Sequence, residues 1–167
     1  MSSNSSKPGP KKEVIAIACD HAGYQLKTEV VKQLYELGAQ VEDLGCSNAH
    51  ESVHYPEFGK KVVDKVLSRP HGRGILICGT GLGMSIIANR FPGIRAALCH
   101  DVSTAVMSRR HNDANLLVLG GRLIGPQLAR EIVQAWLTTP FDGGRHQDRL
   151  DLLEQLAGPG LKQTDEY

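Results

Sequence analysis

The sequence predicts a three-layer α/β domain, a doubly wound and mostly parallel five-stranded sheet with helices on both faces. Three observations predict it. Five short apolar runs, several rich in β-branched residues, have the length and composition of strands buried on both faces. Amphipathic segments with helical spacing separate them. The alternation continues along the chain with no internal repeat and no second domain, and the right-handed crossover rule then leaves few topologies.

Glu13 to Asp20 (EVIAIACD) supplies the first strand. Tyr24 to Leu37 carries a stripe of Leu26, Val30, Val31, Leu34 and Leu37, and Gly38 follows as a helix stop. Val41 to Gly45 is a shorter second strand, and a polar loop ending at Pro56 leads into a helix from Glu57 to Ser68. Gly74 to Gly79 (GILICG) is the third strand, followed by a glycine-rich turn and a helix over Met84 to Arg90 that stops before Pro92. Ile94 to His100 is the fourth strand and Val102 to His111 its helix. Leu116 to Gly121 is the fifth, with a helix from Pro126 to Leu137 and a last one from Arg145 to Leu156. The expected organisation is a single Rossmann-like domain over 13–157, between an N-terminal disordered tail over 1–12 and a C-terminal tail over 158–167.

A chain of 167 residues with 41% hydrophobic residues suits one core. The formal net charge of +1 points to neither nucleic acid nor an anionic membrane, and no apolar run reaches membrane-spanning length. Met1 to Lys12 lacks the apolar centre of a secretory signal, so a cytoplasmic protein is expected. The cysteines Cys19, Cys46, Cys78 and Cys99 form no C-x-x-C pair and sit at or near strand ends, which reads as free thiols.

In a doubly wound sheet, ligands bind outside the carboxyl ends of the strands. Asp20 and His21 follow the first strand, Cys78 to Gly83 ends the third and continues into its turn, and Cys99, His100 and Asp101 end the fourth. Gly120, Gly121 and Arg122 follow the fifth. The run Gly79-Thr80-Gly81-Leu82-Gly83 holds three glycines, which permit positive φ and close approach of a ligand to backbone amides. It is not a dinucleotide fingerprint or a phosphatase loop, because Met84 stands where the former needs glycine and the latter arginine, and it lacks the P-loop ending.

An isolated cysteine is usually a small buried hydrophobe. Beside exposed amides, however, the thiolate form of Cys78 is favoured, and such a base suits removal of a weakly acidic C–H proton. The same amides would hold the oxyanion that forms. Arg145 and Arg149 share a helix face at its N-terminal turn, where cations oppose the helix dipole unless a dianion binds; solvated surface arginines are the rival reading. Arg122 is a third anchor candidate. His21, His100 and His111 each qualify as acid or base, and spacing does not choose among them. A metal site from Cys19, His21, Cys78, Cys99 and His100 is disfavoured, because adjacent Cys99 and His100 point to opposite faces of a strand. A non-catalytic nucleotide- or phosphate-sensing module on the same fold, or a redox role for Cys78, are the readings from other classes.

These segments together resemble the ribose-5-phosphate isomerase B family, with its related galactose-6-phosphate and allose-6-phosphate isomerases. The likeness runs from Val14 to Leu153 through Cys19-Asp20-His21-Ala22-Gly23, Asp43-Leu44-Gly45, Tyr55-Pro56 and Gly74 to Gly83. It continues through Ala88-Asn89-Arg90, Gly93-Ile94-Arg95-Ala96, Arg109 to Asn115, Gly120-Gly121-Arg122 and Gly144-Arg145-His146-Gln147. The resemblance implies cofactor-free and metal-free interconversion of ribose 5-phosphate and ribulose 5-phosphate, in the non-oxidative pentose phosphate pathway, through a cis-enediolate. It implies Cys78 as the C2 base, in the branch lacking a glutamate at the position of Met84, and His111 with Asp20 nearby for ring opening. Thr80 and the amides of Gly79, Gly81 and Gly83 would hold the enediolate. His21, Arg122, Arg145 and Arg149 would surround the phosphate, and Tyr55 and Asn112 would line the sugar. A homodimer, in some members a tetramer, with sites completed by both subunits is implied as well. The chain departs from the family pattern at His54, where aspartate is common, and in the variable loop Ser47 to Ser52, both on the sugar side.

Overall fold

The computed structural model describes residues 13–157; the predicted tails over 1–12 and 158–167 lie outside the described residues. Its strands are β1 (Val14–Cys19), β2 (Gln40–Asp43), β3 (Arg73–Cys78), β4 (Ala96–Leu98) and β5 (Leu116–Gly120). Its helices are α1 (Tyr24–Glu36), α2 (Tyr55–Leu67), α3 (Leu82–Ala88), α4 (Val102–Asn112), α5 (Pro126–Thr138) and α6 (Arg145–Ala157). The strands pair in the order β2-β1-β3-β5-β4, and every pairing is parallel.

Period-two alternation divides the core into two layers. Ile15, Ile17, Ile75, Ile77, Leu117 and Leu119 face α1 and α5, where Leu26, Val30, Leu34, Ile132 and Trp136 meet them. The intervening Ala16, Ala18, Leu76, Cys78, Leu116 and Val118 face α2 and α3, against Val62, Val63 and Met84. None of the described helices is long and apolar enough to cross a membrane.

Departures from the predicted boundaries have local causes. The second strand ends at Asp43 rather than Gly45, because the Asp43 carboxylate accepts from Gly45 N–H at 3.0 Å and turns the chain. The fourth shrinks to three residues: Ile94 N–H bonds back to Phe91 in a turn, and Asp101 beyond the strand caps α4 by accepting from Thr104 N–H. Asn89, just past α3, covers this edge strand. Its side-chain amide accepts from Ala96 N–H and donates to Ala96 C=O, both at 2.9 Å. The α2 helix starts at Tyr55, two residues before the predicted Glu57, with Pro56 in its first turn.

The chain leaves β1 for β2 on one side and returns to β3 on the other. The winding therefore reverses between β1 and β3, and a crevice opens at their carboxyl ends. Asp20 and Cys78 are the residues that end there.

Candidate active site

The pairing of Cys19 with Ile77 places Asp20 beside Cys78, and Cys78 itself pairs with Gly120. Backbone bonds tie the three strand ends together: Asp20 N–H to Ile77 C=O at 3.2 Å, Gly121 N–H to Cys78 C=O at 2.8 Å, and Arg122 N–H to Gly79 C=O at 3.0 Å. Cys78 is 4% exposed, its flank packed with Met84 among the α2 and α3 side chains. Asp20 is also buried, and one carboxylate oxygen accepts from Gly23 N–H at 3.0 Å. That bond caps the single helical turn His21–Gly23.

The glycine turn is shaped by its neighbours. Gly81 adopts φ +80°, and a methyl placed on it would come within 2.4 Å of the Leu98 side chain, so glycine is required there. The Tyr55 ring lies against Gly83, where an added methyl would come within 2.6 Å of it. The Arg122 side chain runs past Gly79 on the other flank. Thr80 is exposed and its hydroxyl accepts from Leu82 N–H at 3.3 Å. His21 accepts through Nδ1 from Val53 N–H at 3.3 Å, which fixes the ring. Cys78, Asp20, Thr80, His21, Tyr55, Gly79, Gly81, Gly83 and Arg122 are thus gathered at one end of the sheet.

His111, Asn112, Arg145 and Arg149 are not with them. Helix α4 starts past the carboxyl end of β4 and runs back to the start of β5, and its 11 residues span roughly 16 Å. His111 and Asn112 close it at the amino end of the sheet, where Arg95, just before β4, donates to Asn112 C=O at 2.9 Å. There the His111 and His146 rings stack with centroids 4.2 Å apart and planes within 6°. Arg110 of α4 pairs with Asp142 at 3.0 Å, holding the segment that leads into α6. Arg145 and Arg149 are exposed on the first turns of α6. Burial, with His111, Arg145 and Arg149 adding positive charge, pushes His146 below the ordinary imidazole range.

Two participants at this end, His146 and Asp142, were not singled out from the sequence as site residues. His146 was visible only as part of the Gly-Arg-His-Gln run, and nothing in its spacing from His111 announces the stack. Ligand atoms of His111, Asp142 and His146 lie within 4.8 Å of one another, the one grouping among the described residues with the makings of a metal site. The five strand-end residues weighed for a metal do not form such a cluster among the described residues.

The parallel α/β sheet carries a thiol, a carboxylate and a glycine turn at its switch point, and comparisons with known proteins give the class of enzyme: a sugar-phosphate isomerase. The family model described as Ribose/Galactose Isomerase matches residues 15–153, and the chain belongs to that family. It is 46% identical to ribose-5-phosphate isomerase B of Escherichia coli, over 85% of this chain and 95% of that protein. It is 43% identical to D-erythrulose-4-phosphate isomerase of Pectobacterium atrosepticum, over 78% of this chain and 86% of that one. The crystal structure of a ribose 5-phosphate isomerase from Thermotoga maritima superposes with a TM-score of 0.82 at 54% identity, covering 86% of this chain and 98% of the other.

Proposed function

We propose that this protein interconverts ribose 5-phosphate and ribulose 5-phosphate, with Cys78 as the base at C2, in a site completed by a second copy of the chain. The observation that carries this reading is the placement of Cys78 at the β1/β3 switch point, next to Asp20 across the strand ends and at the head of the glycine turn.

The Cys78 thiolate removes the proton on C2 of the open-chain aldose. The C–H electron pair becomes the C1–C2 double bond of a cis-enediolate, and the carbonyl pair moves onto O1. Return of the proton to C1, with the hydroxyl proton passing from O2 to O1, yields the ketose. Thr80 and the amides of Gly79, Gly81 and Gly83 hold the developing oxyanion. Tyr55 and Asn112 line the sugar. His111 assists ring opening, with Asp20 nearby. His21, Arg122, Arg145 and Arg149 take the phosphate.

Within one chain, this set is divided between the two ends of the sheet. A homodimer, alone or as half of a tetramer, joins the carboxyl end of one copy to the amino end of its partner. Exposed apolar side chains beside the glycine turn support such a contact: Leu82 and Leu123 are each 57% exposed.

Hexose 6-phosphates, allose or galactose, are the second reading, favoured by the departures at His54 and in the loop Ser47 to Ser52. Relative kcat/KM on ribose 5-phosphate, allose 6-phosphate, galactose 6-phosphate and erythrulose 4-phosphate decides the substrate. For the chemistry, Cys78→Ser is expected to lose roughly 10²–10⁴-fold in kcat, in chelator-treated enzyme, with inorganic phosphate binding and Tm retained. Turnover within a few-fold of the parent would remove Cys78 as the base.

A further inference from the structure

Near the site lies a pair of thiols that the proposed isomerisation does not use. Cys19 closes β1 and Cys46 follows β2, and their Sγ atoms are 3.7 Å apart. Both are free. Cys46 N–H donates to Cys19 C=O at 3.2 Å, so the two residues are neighbours across a continuation of the β1–β2 pairing. Chains paired in this way run about 4.8 Å apart, inside the Cα separation that a disulfide spans without backbone movement.

The two thiols differ in access. Cys19 is 0% exposed, whereas Cys46 lines a surface cavity of about 260 Å³ with Asn48, Glu51, Val53 and Phe58, large enough for a small peroxide. The Lys27 ammonium donates to Cys46 C=O at 3.3 Å and to the Asp43 carboxylate at 2.7 and 3.0 Å, and its charge favours the Cys19 thiolate.

We propose that Cys19 and Cys46 form a reversible disulfide, making the carboxyl end of β1 a site of covalent oxidation by hydroperoxides. Cys46 gives its proton to solvent and its thiolate attacks one oxygen of hydrogen peroxide; the O–O bond breaks, Cys46 becomes a sulfenic acid, and the departing hydroxide takes up a proton from solvent as water. The Cys19 sulfur then attacks the sulfenic sulfur. The S–S bond forms, the S–O bond breaks, and the Cys19 proton leaves with the hydroxyl group as a second water. Two thiols are oxidised by two electrons and one peroxide is reduced. Burial pushes the Cys19 thiol well above the ordinary thiol range, against the pull of Lys27. Cys19, fully buried while Cys46 lines the cavity, is accordingly the resolving partner.

The linkage reaches toward the catalytic end by two short paths. Asp20 is the next residue after Cys19, and Val53, in the wall of the same cavity, donates the bond that fixes His21. The dithiol chemistry itself is independent of the proposed substrate.

The test uses full-length Cys78→Ser protein, so that the thiol at the strand end of β3 does not contribute, treated with hydrogen peroxide and alkylated under denaturing conditions. The expected result is one alkyl group, on Cys99, with the mass otherwise about 2 Da below the reduced protein, a non-reducing peptide map joining the Cys19 and Cys46 peptides, and full reversal by dithiothreitol. In Cys19→Ser, Cys46 has no partner and is expected to gain about 32 Da as a sulfinic acid that dithiothreitol does not reverse. The same peptide map on the wild-type chain keeps the test independent of how either variant folds. Irreversible oxidation of Cys46 while Cys19 is present, a link to Cys99 instead, or four unmodified thiols in the wild-type chain would overturn the proposal.

Discussion

The molecule holds two sets of arginines, and they differ in their partners. Arg69, Arg73, Arg95 and Arg109 line a cavity of about 480 Å³ at the amino end of the sheet, and each is already committed. Arg69 pairs with Glu42, Arg73 with Glu13, and Arg95 and Arg109 with Asp113 at 3.1 and 2.9 Å. Arg109 also donates to Ala114 C=O at 2.7 Å. Arg73 and Arg109 lie over the buried Trp136 ring. Arg122, Arg145 and Arg149, by contrast, are exposed and have no carboxylate partner among the described residues. Arg145 and Arg149, on the first turns of α6, also carry charge that the helix dipole opposes.

Substitutions separate the two sets. Arg145→Gln with Arg149→Gln is expected to raise KM for the sugar phosphate about 10- to 100-fold with unchanged Tm, since charge-assisted contacts to phosphate are lost and none within the chain. Steady-state kinetics with a thermal melt measures both; a fall in Tm with unchanged KM would reverse the assignment.

Arg109→Gln should do the opposite. It leaves Asp113 and the Ala114 carbonyl short of a donor and costs about 2–4 kcal/mol by urea denaturation, with KM retained. A KM defect with full stability would mean that the cavity binds substrate.

The smallest effect is a pH dependence of stability. Because the folded protein holds His146 below the ordinary imidazole value of 6.5, the unfolded chain binds more protons as the pH falls through that value. Its contribution is present above about pH 7.5, is lost as the pH drops through the folded pKa, and should vanish in His146→Gln. Urea midpoints at about pH 8 and pH 5.5 check this, and an identical pH dependence in the variant would contradict it.

Most of the fold was legible because its three central strands are buried on both faces. Ile75 to Ile77 and Leu116 to Leu119 have no polar residue to blur the period, so their type and order followed from the residues. The edge strand β4 was overextended because Ile94 and Cys99 look like strand residues, while the turn at Phe91 and the cap at Asp101 that truncate it are long on local geometry and short on pattern. The carboxyl-end half of the candidate site was legible for a topological reason: the strand-end rule gathers Asp20, Cys78, Thr80 and Arg122 without coordinates. In its amino-end half Arg145 and Arg149 stood out as a helix-face pair and His111 as one of three histidines, but only the family resemblance joined them to Cys78, since the direction of α4 carries His111 away from Cys78 within one chain. The His111–His146 stack joins residues far apart in sequence, and no periodicity encodes it.

That separation makes subunit complementation the most direct test of the account. Cys78→Ser and His111→Ala proteins, each inactive on ribose 5-phosphate, would be mixed by reversible unfolding, with differently tagged copies confirming that mixed dimers form. If sites join the carboxyl end of one copy to the amino end of the other, half the dimers are mixed and each carries one intact site, restoring about a quarter of wild-type activity. A mixture as inactive as its parents, despite mixed dimers, would contradict a site shared between two copies.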